Sequence, residues 1–299
     1  MSNPPTRRAR IVMRYGADAL LRDEQGELFR ATTRRKLDKL TCGDWVSGEG
    51  SDTAAVITAL EPRRNALIRT YFRGQPRTMA ANIDTVLVVT APRPETDWSV
   101  VDGSLIAAER LKAEAFIVQH KYDLGSSEGM ENRFADYRRI GYAVPRTSVN
   151  DPASIEALEA ELKGKTAILL GQSGMGKSSL INQMVSESKL KIGAISELTG
   201  LGKHTTSVTQ LYEIPGGGFV IDSPGIRDFT PPPLPPEELQ YTFREFEPLV
   251  GQCRFHNCRH EHEPGCAIIA AVESGDISAW RHTSYLHHLQ LWKEASEQH

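Results

Sequence analysis

The chain has 299 residues, 35 Lys/Arg against 38 Asp/Glu, a formal net charge of −3 and 39% hydrophobic residues. That length accommodates two or three domains of an ordinary soluble globular protein. No apolar run approaches the length needed to cross a bilayer and no charged-then-apolar leader opens the chain, so the expectation is a cytoplasmic protein with no membrane partner.

The charge is unevenly placed. Residues 1–80 carry 15 Lys/Arg and 9 Asp/Glu, which leaves 20 and 29 for the rest. A basic N-terminal piece on an acidic body points to nucleic-acid contact at one end. Residues 1–10, with Arg7, Arg8 and Arg10, read as a basic flexible arm. From 11 to 70 the pattern is short strands broken by turns: Ile11–Tyr15, Ala19–Arg22, Glu27–Ala31, Asp44–Ser47 and Ala55–Leu60. Five short strands in that space predict an OB-type β-barrel, a fold suited to oligonucleotides. Thr33–Lys36 and Lys39 fall on a loop able to meet phosphates. Aromatic residues are sparse there, which favours recognition of folded RNA by phosphate and shape. Residues 63–69 read as a link to the next domain.

Residues 71–230 alternate strands and helices and predict an α/β sheet. The strand ending at Val89 opens it, and the helices fall near 105–111, 130–137 and 153–160. Ala115–Gln119 is an apolar strand that ends in His120, Lys121, Tyr122 and Asp123. An aspartate there can accept from both N1–H and the 2-amino group of guanine, a pair of donors adenine lacks. After another short strand at 141–144 come Thr147, Ser148 and Val149, which resemble a loop whose backbone N–H meets guanine O6.

Thr166–Leu170 reads as a buried strand, followed by Gly171, Gln172, Ser173, Gly174, Met175, Gly176, Lys177 and Ser178, which is G-x-x-x-x-G-K-S. Ser179 to Met184 continue with helical spacing, so the motif has the strand–loop–helix context it needs. Backbone N–H groups of such a loop converge on phosphate oxygens, the lysine reaches the β/γ pair and the serine hydroxyl serves Mg2+. Downstream, Gly218–Asp222 is a strand delivering Asp222-Ser-Pro-Gly225, with Asp222 set toward Mg2+ and the Gly225 N–H toward a γ-phosphate. Between the two, residues 200–206 are polar and suit a first switch, with Thr205 or Thr206 as the second hydroxyl on Mg2+.

Residues 231–236 are almost all proline, a stiff connector able to transmit displacement. Beyond them, in the segment 231–299, Cys253, Cys258, His260 and Cys266 form a Cys3His set suited to one structural Zn2+. His256 and His262 stand close enough to compete as ligands. Residues 276–297 read as a helix with His282, His287 and His288 as surface polar residues.

The base-reading loops precede the P-loop, the reverse of the usual order. With residues 171–182, 202–206 and 222–225 and the Cys/His knuckle, this order resembles the ribosome small-subunit-dependent GTPase A (RsgA) family, circularly permuted GTPases of bacteria. The resemblance spans nearly the whole chain. It implies an N-terminal OB-type barrel, a circularly permuted P-loop GTPase domain and a C-terminal helical zinc-binding domain. It also implies binding of GTP/GDP and Mg2+, a monomer, and engagement of the small ribosomal subunit and its rRNA during late maturation, with hydrolysis stimulated by the subunit. The family's Asn-Lys-x-Asp appears here as His120-Lys-Tyr-Asp, with guanine preference expected to survive through Asp123. Where Ras-type enzymes place a water-orienting glutamine the chain has Ile226, which makes His204 the internal candidate for that catalytic role. The rival reading is an RNA-binding scaffold with a weak nucleotide pocket.

Overall fold

A computed structural model of the chain describes residues 6–33, 37, 39–50, 55–70, 76–185, 192, 208–223 and 229–297. Its first five strands are β1 (Arg7–Tyr15), β2 (Asp18–Asp23), β3 (Leu28–Thr33), β4 (Trp45–Glu49) and β5 (Ala55–Leu60). They pair in the order β1-β2-β3-β5-β4, and β4 returns to β1, which closes a five-stranded barrel. Strand alternation turns Ile11, Leu21, Ala31, Val46 and Ile57 into one small core. The expected barrel is therefore present, and the expected flexible arm is corrected over its last residues. Arg7–Arg10 belong to β1 because their side chains are all engaged. Arg7 pairs with Asp23, Arg8 binds Glu61 and Glu24 and stacks on Trp45, and Arg10 is buried on the carbonyls of Gly43 and Asn82. Of the loop proposed to meet phosphates, residues 34–36 lie outside the described residues, while Lys39 is exposed.

The stretch read as a link forms instead a hairpin, β6 (Ala66–Thr70) and β7 (Pro76–Ala81). Then come β8 (Thr85–Thr90), α1 (Trp98–Leu111), β9 (Glu114–His120), α2 (Glu128–Ile140), β10 (Arg146–Thr147), α3 (Pro152–Glu161) and β11 (Thr166–Leu170). A further helix, α4, runs through 177–185. The strand expected at 141–144 is reduced to a single bridge between Ala143 and Phe116. After β12 (Gln210–Ile214) and β13 (Gly218–Asp222) the sheet order is β10-β9-β8-β11-β13-β12. All neighbours are parallel except β12, which pairs antiparallel with β13 and touches β1 through Met13 and Gln210. Barrel and α/β sheet thus form one continuous eleven-stranded sheet.

Every residue of β8 and β11 is buried, the mark of a parallel strand covered on both faces. Because the five parallel strands share one direction, Thr90, His120, Thr147, Leu170 and Asp222 all end at the same edge, where open α/β sheets bind ligands.

The C-terminal body comprises α5 (Pro236–Leu239), α6 (Ala267–Ser274) and α7 (Ala279–Glu297), packed around Phe243, Phe246, Tyr285 and Leu289. Ile106 of α1 completes that core. Arg281 of α7 is 1% exposed, donates to Asp102 of α1 and to Glu245 at 2.5 Å, and lies over the Phe243 ring at 4.4 Å. The Asp102 carboxylate also accepts from the Tyr137 hydroxyl at 2.7 Å. Two of the three histidines expected at the surface are not there. His288 is buried beside Gly103 and Pro231, because α7 lies against α1. His282 is half-buried, with its Nε2 on the His260 carbonyl at 2.7 Å. Among the described residues no helix is long and apolar enough to cross a membrane.

Candidate functional site

The loop after β11 turns on glycines that tolerate no replacement. Gly171 sits at φ +131 with the Val89 carbonyl oxygen 2.4 Å from where a Cβ would stand. Gly176, at φ +97, would place a Cβ 2.5 Å from His120 Cδ2 and 2.9 Å from Nε2. The two loops read separately from the sequence are therefore in van der Waals contact. Lys121 adds a second tie, donating from Nζ to the Gly174 carbonyl at 2.8 Å and to the Arg93 carbonyl at 3.0 Å. The loop before α1 supplies a third, since the Asp97 N–H donates to the Gln172 side chain at 2.8 Å and Thr96 meets buried Met175. Lys177, at the start of α4, donates from Nζ to the carbonyls of Gly171 and Gln172. Ser173, Ser178 and Ser179 are exposed on the same turn.

His120 is buried, its Nδ1 is 3.0 Å from the Thr147 hydroxyl, and burial, aided by the neighbouring Lys121 charge, holds its pKa below the usual value. Asp123 is exposed, and hydrogen bonds from the Ser148 and Asn150 side chains keep its carboxyl below the usual carboxylate range. Asn150 Nδ2 lies 2.9 Å from Asp123 Oδ2, and Tyr122 donates to Asp151 at 2.8 Å. Ser148 enters through its side chain. Its own N–H is taken by Ser154 Oγ at 3.1 Å, so the open amide of this loop is that of exposed Val149, which meets no acceptor among the described residues. Sequence reasoning placed Thr147 in this loop and missed Asn150, whose only signal was the run of small polar residues around Ser148.

β13 lies beside β11 in parallel register, Ile168 against Ile221, so Asp222 emerges next to the P-loop. Ser223, which follows it, shares a hydrogen bond with Thr209 at 3.0 Å. His204, Thr205, Thr206, Gly225 and Ile226 lie outside the described residues.

In the C-terminal body the ligand atoms of Cys253, Cys258, His260 and Cys266 all fall within 4.8 Å of one another. Two thiolates on a tetrahedral ion with bonds of about 2.3 Å stand about 3.8 Å apart, and the Cys253 and Cys266 sulfurs are 3.9 Å apart. His260 Nδ1 lies 3.6 and 3.3 Å from those sulfurs, while its Nε2 is 3.0 Å from Gln240 Oε1, an outer partner that fixes the ring. The four can hold a metal ion. His256 and His262, the possible competitors, are exposed and outside the cluster.

Residues 60–231 match the family model described as RsgA GTPase. A small ribosomal subunit biogenesis GTPase RsgA of Marinobacter nauticus is 40% identical over 296 residues, covering 96% of this chain and 84% of its own. A protein of the same name from Azotobacter vinelandii is 38% identical, covering 95% and 85%. Among solved structures, YjeQ from Thermotoga maritima superimposes with a TM-score of 0.76 at 29% identity, over 96% of this chain and 99% of that one. YloQ, described as a circularly permuted GTPase, gives 0.75 at 25% identity, over 97% and 96%.

Proposed function

The chain belongs to the RsgA GTPase family, and on that premise we propose that it hydrolyses GTP to GDP and phosphate in step with late maturation of the small ribosomal subunit. The observation that supports this best is the contact between the base-reading loop and the P-loop, His120 on Gly176 and Lys121 on Gly174. Residues 120–123 and 147–149 would hold the guanine, with Asp123 accepting and Val149 donating. The N–H groups of 172–178 and the Lys177 ammonium would hold the phosphates. Ser178 and Asp222 are the described residues that fit Mg2+, an oxygen-preferring ion that neutralises charge on the β- and γ-phosphates. Thr205, Thr206, Gly225 and His204 are assigned to the switches and to water positioning from sequence alone.

Cys253, Cys258, His260 and Cys266 offer no open position and suit one structural Zn2+. The barrel and this module would grip rRNA, and the protein would work as a cytoplasmic monomer. The ribosomal coupling comes from the names of the relatives. Phosphate release from GTP, with and without purified small subunits, tests it. Stimulation of about a hundredfold, the size of one positioned proton-handling group, is expected. Turnover indifferent to the subunit would leave a scaffold and refute the proposal.

A further inference from the structure

Three side-chain bonds join the loop after β9 to the loop after β10: His120 to Thr147, Tyr122 to Asp151 and Asn150 to Asp123. Two of them tie the loops together through side chains alone. The third lands on the carboxylate assigned to the base. Asp123 is exposed, and an exposed aspartate moves among several rotamers of similar energy. Here two hydrogen bonds made by Asn150 remove that freedom. The Asn150 N–H donates to Ser148 Oγ at 3.0 Å, and Asn150 Nδ2 donates to Asp123 Oδ2 at 2.9 Å, with the Ser148 hydroxyl beside the same carboxylate. An ionised carboxylate only accepts, so the Asn150 amide must turn its NH2 toward Asp123, and the direction of that bond is fixed.

We propose that Asn150 is the positioning residue for base recognition, holding the Asp123 carboxylate in the one orientation that meets N1–H and the 2-amino group of guanine. It touches Asp123 rather than the base, and it acts on specificity rather than on the phosphates. The inference rests on the GTPase reading of this site.

The test uses the full chain and competition binding of GDP, inosine diphosphate (which lacks the 2-amino group) and xanthosine diphosphate. Asn150→Ala should weaken GDP about five- to tenfold, the worth of one charge-assisted hydrogen bond. Inosine diphosphate should weaken less, so that the preference for GDP over it shrinks. Asn150→Asp, which sets a second carboxylate against Asp123, should weaken GDP further and recover in part as pH is lowered. In an Asp123→Asn background, Asn150 should keep the new amide oxygen toward itself and its NH2 toward the base, favouring xanthosine diphosphate. Adding Asn150→Asp should turn that amide round and abolish the preference. An equal loss for all three diphosphates in Asn150→Ala would mean a merely structural role and would overturn the proposal, as would an unchanged GDP preference. A wild-type chain that does not distinguish GDP from inosine diphosphate would overturn the guanine reading of the pocket, and the role of Asn150 with it.

Discussion

Gly176→Ala is the substitution that most directly probes whether base loop and P-loop form one site. Two costs are set by the structure. Gly176 lies at φ +97, where a side chain costs about 1–2 kcal/mol. Its new methyl would stand 2.5 Å from His120 Cδ2, and reaching an ordinary 3.4 Å requires the ring to retreat by about 0.9 Å. The bond from His120 Nδ1 to Thr147 is 3.0 Å long, so a retreat of that size breaks it, at about 1 kcal/mol. Together these give about 2–3 kcal/mol, or about 30- to 160-fold in nucleotide affinity if the loops separate rather than the sheet. Both loops follow buried strands, so the separation is the easier response. Fluorescence titration with a labelled GDP reads the loss, and the melting curve should move little. Removing the ring with His120→Ala in the same chain should restore the part due to the clash and leave the backbone part. A Gly176→Ala chain that binds GDP within about threefold of wild type would refute the reasoning.

Arg281→Met leaves Asp102 and Glu245 buried without their cation, which costs about 3–5 kcal/mol and should lower the melting midpoint by about 10 °C; Arg281→Lys should not rescue it, because one ammonium cannot serve both carboxylates as the fork does. Burial pushes the His288 pKa down from 6.5 to about 4. The unfolded chain therefore binds the extra proton first, and stability present above pH 6.5 falls progressively toward pH 4, by up to about 3 kcal/mol. Melting midpoints between pH 7 and 5 should show a slope that His288→Leu flattens, and an equal slope in that variant counts against it. Purified protein should carry about one zinc per chain, and Cys266→Ser should lose it together with the cooperative melting of the C-terminal body, read by metal analysis and calorimetry.

What could be read from the sequence was whatever local chemistry fixes without help. G-x-x-x-x-G-K-S needs a strand before it and a helix after it, and both flanks announce themselves in apolar spacing. The barrel strands show because their residues alternate. The first arginines were misjudged because Arg7-Arg-Ala-Arg has the composition of a disordered arm, and only the folded partners Asp23, Glu61 and Gly43 turn it into a strand. β12 escaped notice because Gln210-Leu-Tyr-Glu-Ile214 is short and mixed, and its place is set by β13 on one side and the barrel on the other. His288 looked like one more polar residue on a helix whose inward face is decided by α1. Within the site, Asp123 and Lys177 were legible as motif members. That Lys121 braces Gly174 and that Ser148 acts through its hydroxyl required the loops to be seen together.

The proline run after β13 read as a stiff connector able to transmit displacement, and the packing sets it between the two bodies. Phe229 belongs to the core of the α/β domain and Leu234 to the core of the C-terminal body, with Pro231 pressed on Gly103 between them. The connector is inlaid rather than free. α7 packs Trp280 on the first core and gives Tyr285 and Leu289 to the second, and α1 likewise gives Val101 and Leu105 to the first and Ile106 to the second. Its first turn is capped by Asp97, whose N–H donates to Gln172 of the P-loop, and its second holds Asp102 against Arg281 of α7. From α7, His282 reaches the carbonyl of His260 in the Cys3His cluster. The loop after β11 and the Cys3His cluster are therefore joined through α1 and α7, with hydrogen bonds at both ends. Contact of this kind becomes coupling only if the two ends have different energies in different nucleotide states. In the permuted order Asp222 is followed within a dozen residues by Phe229, Pro231 and Leu234, which pack on one core, on Gly103 of α1 and on the other core.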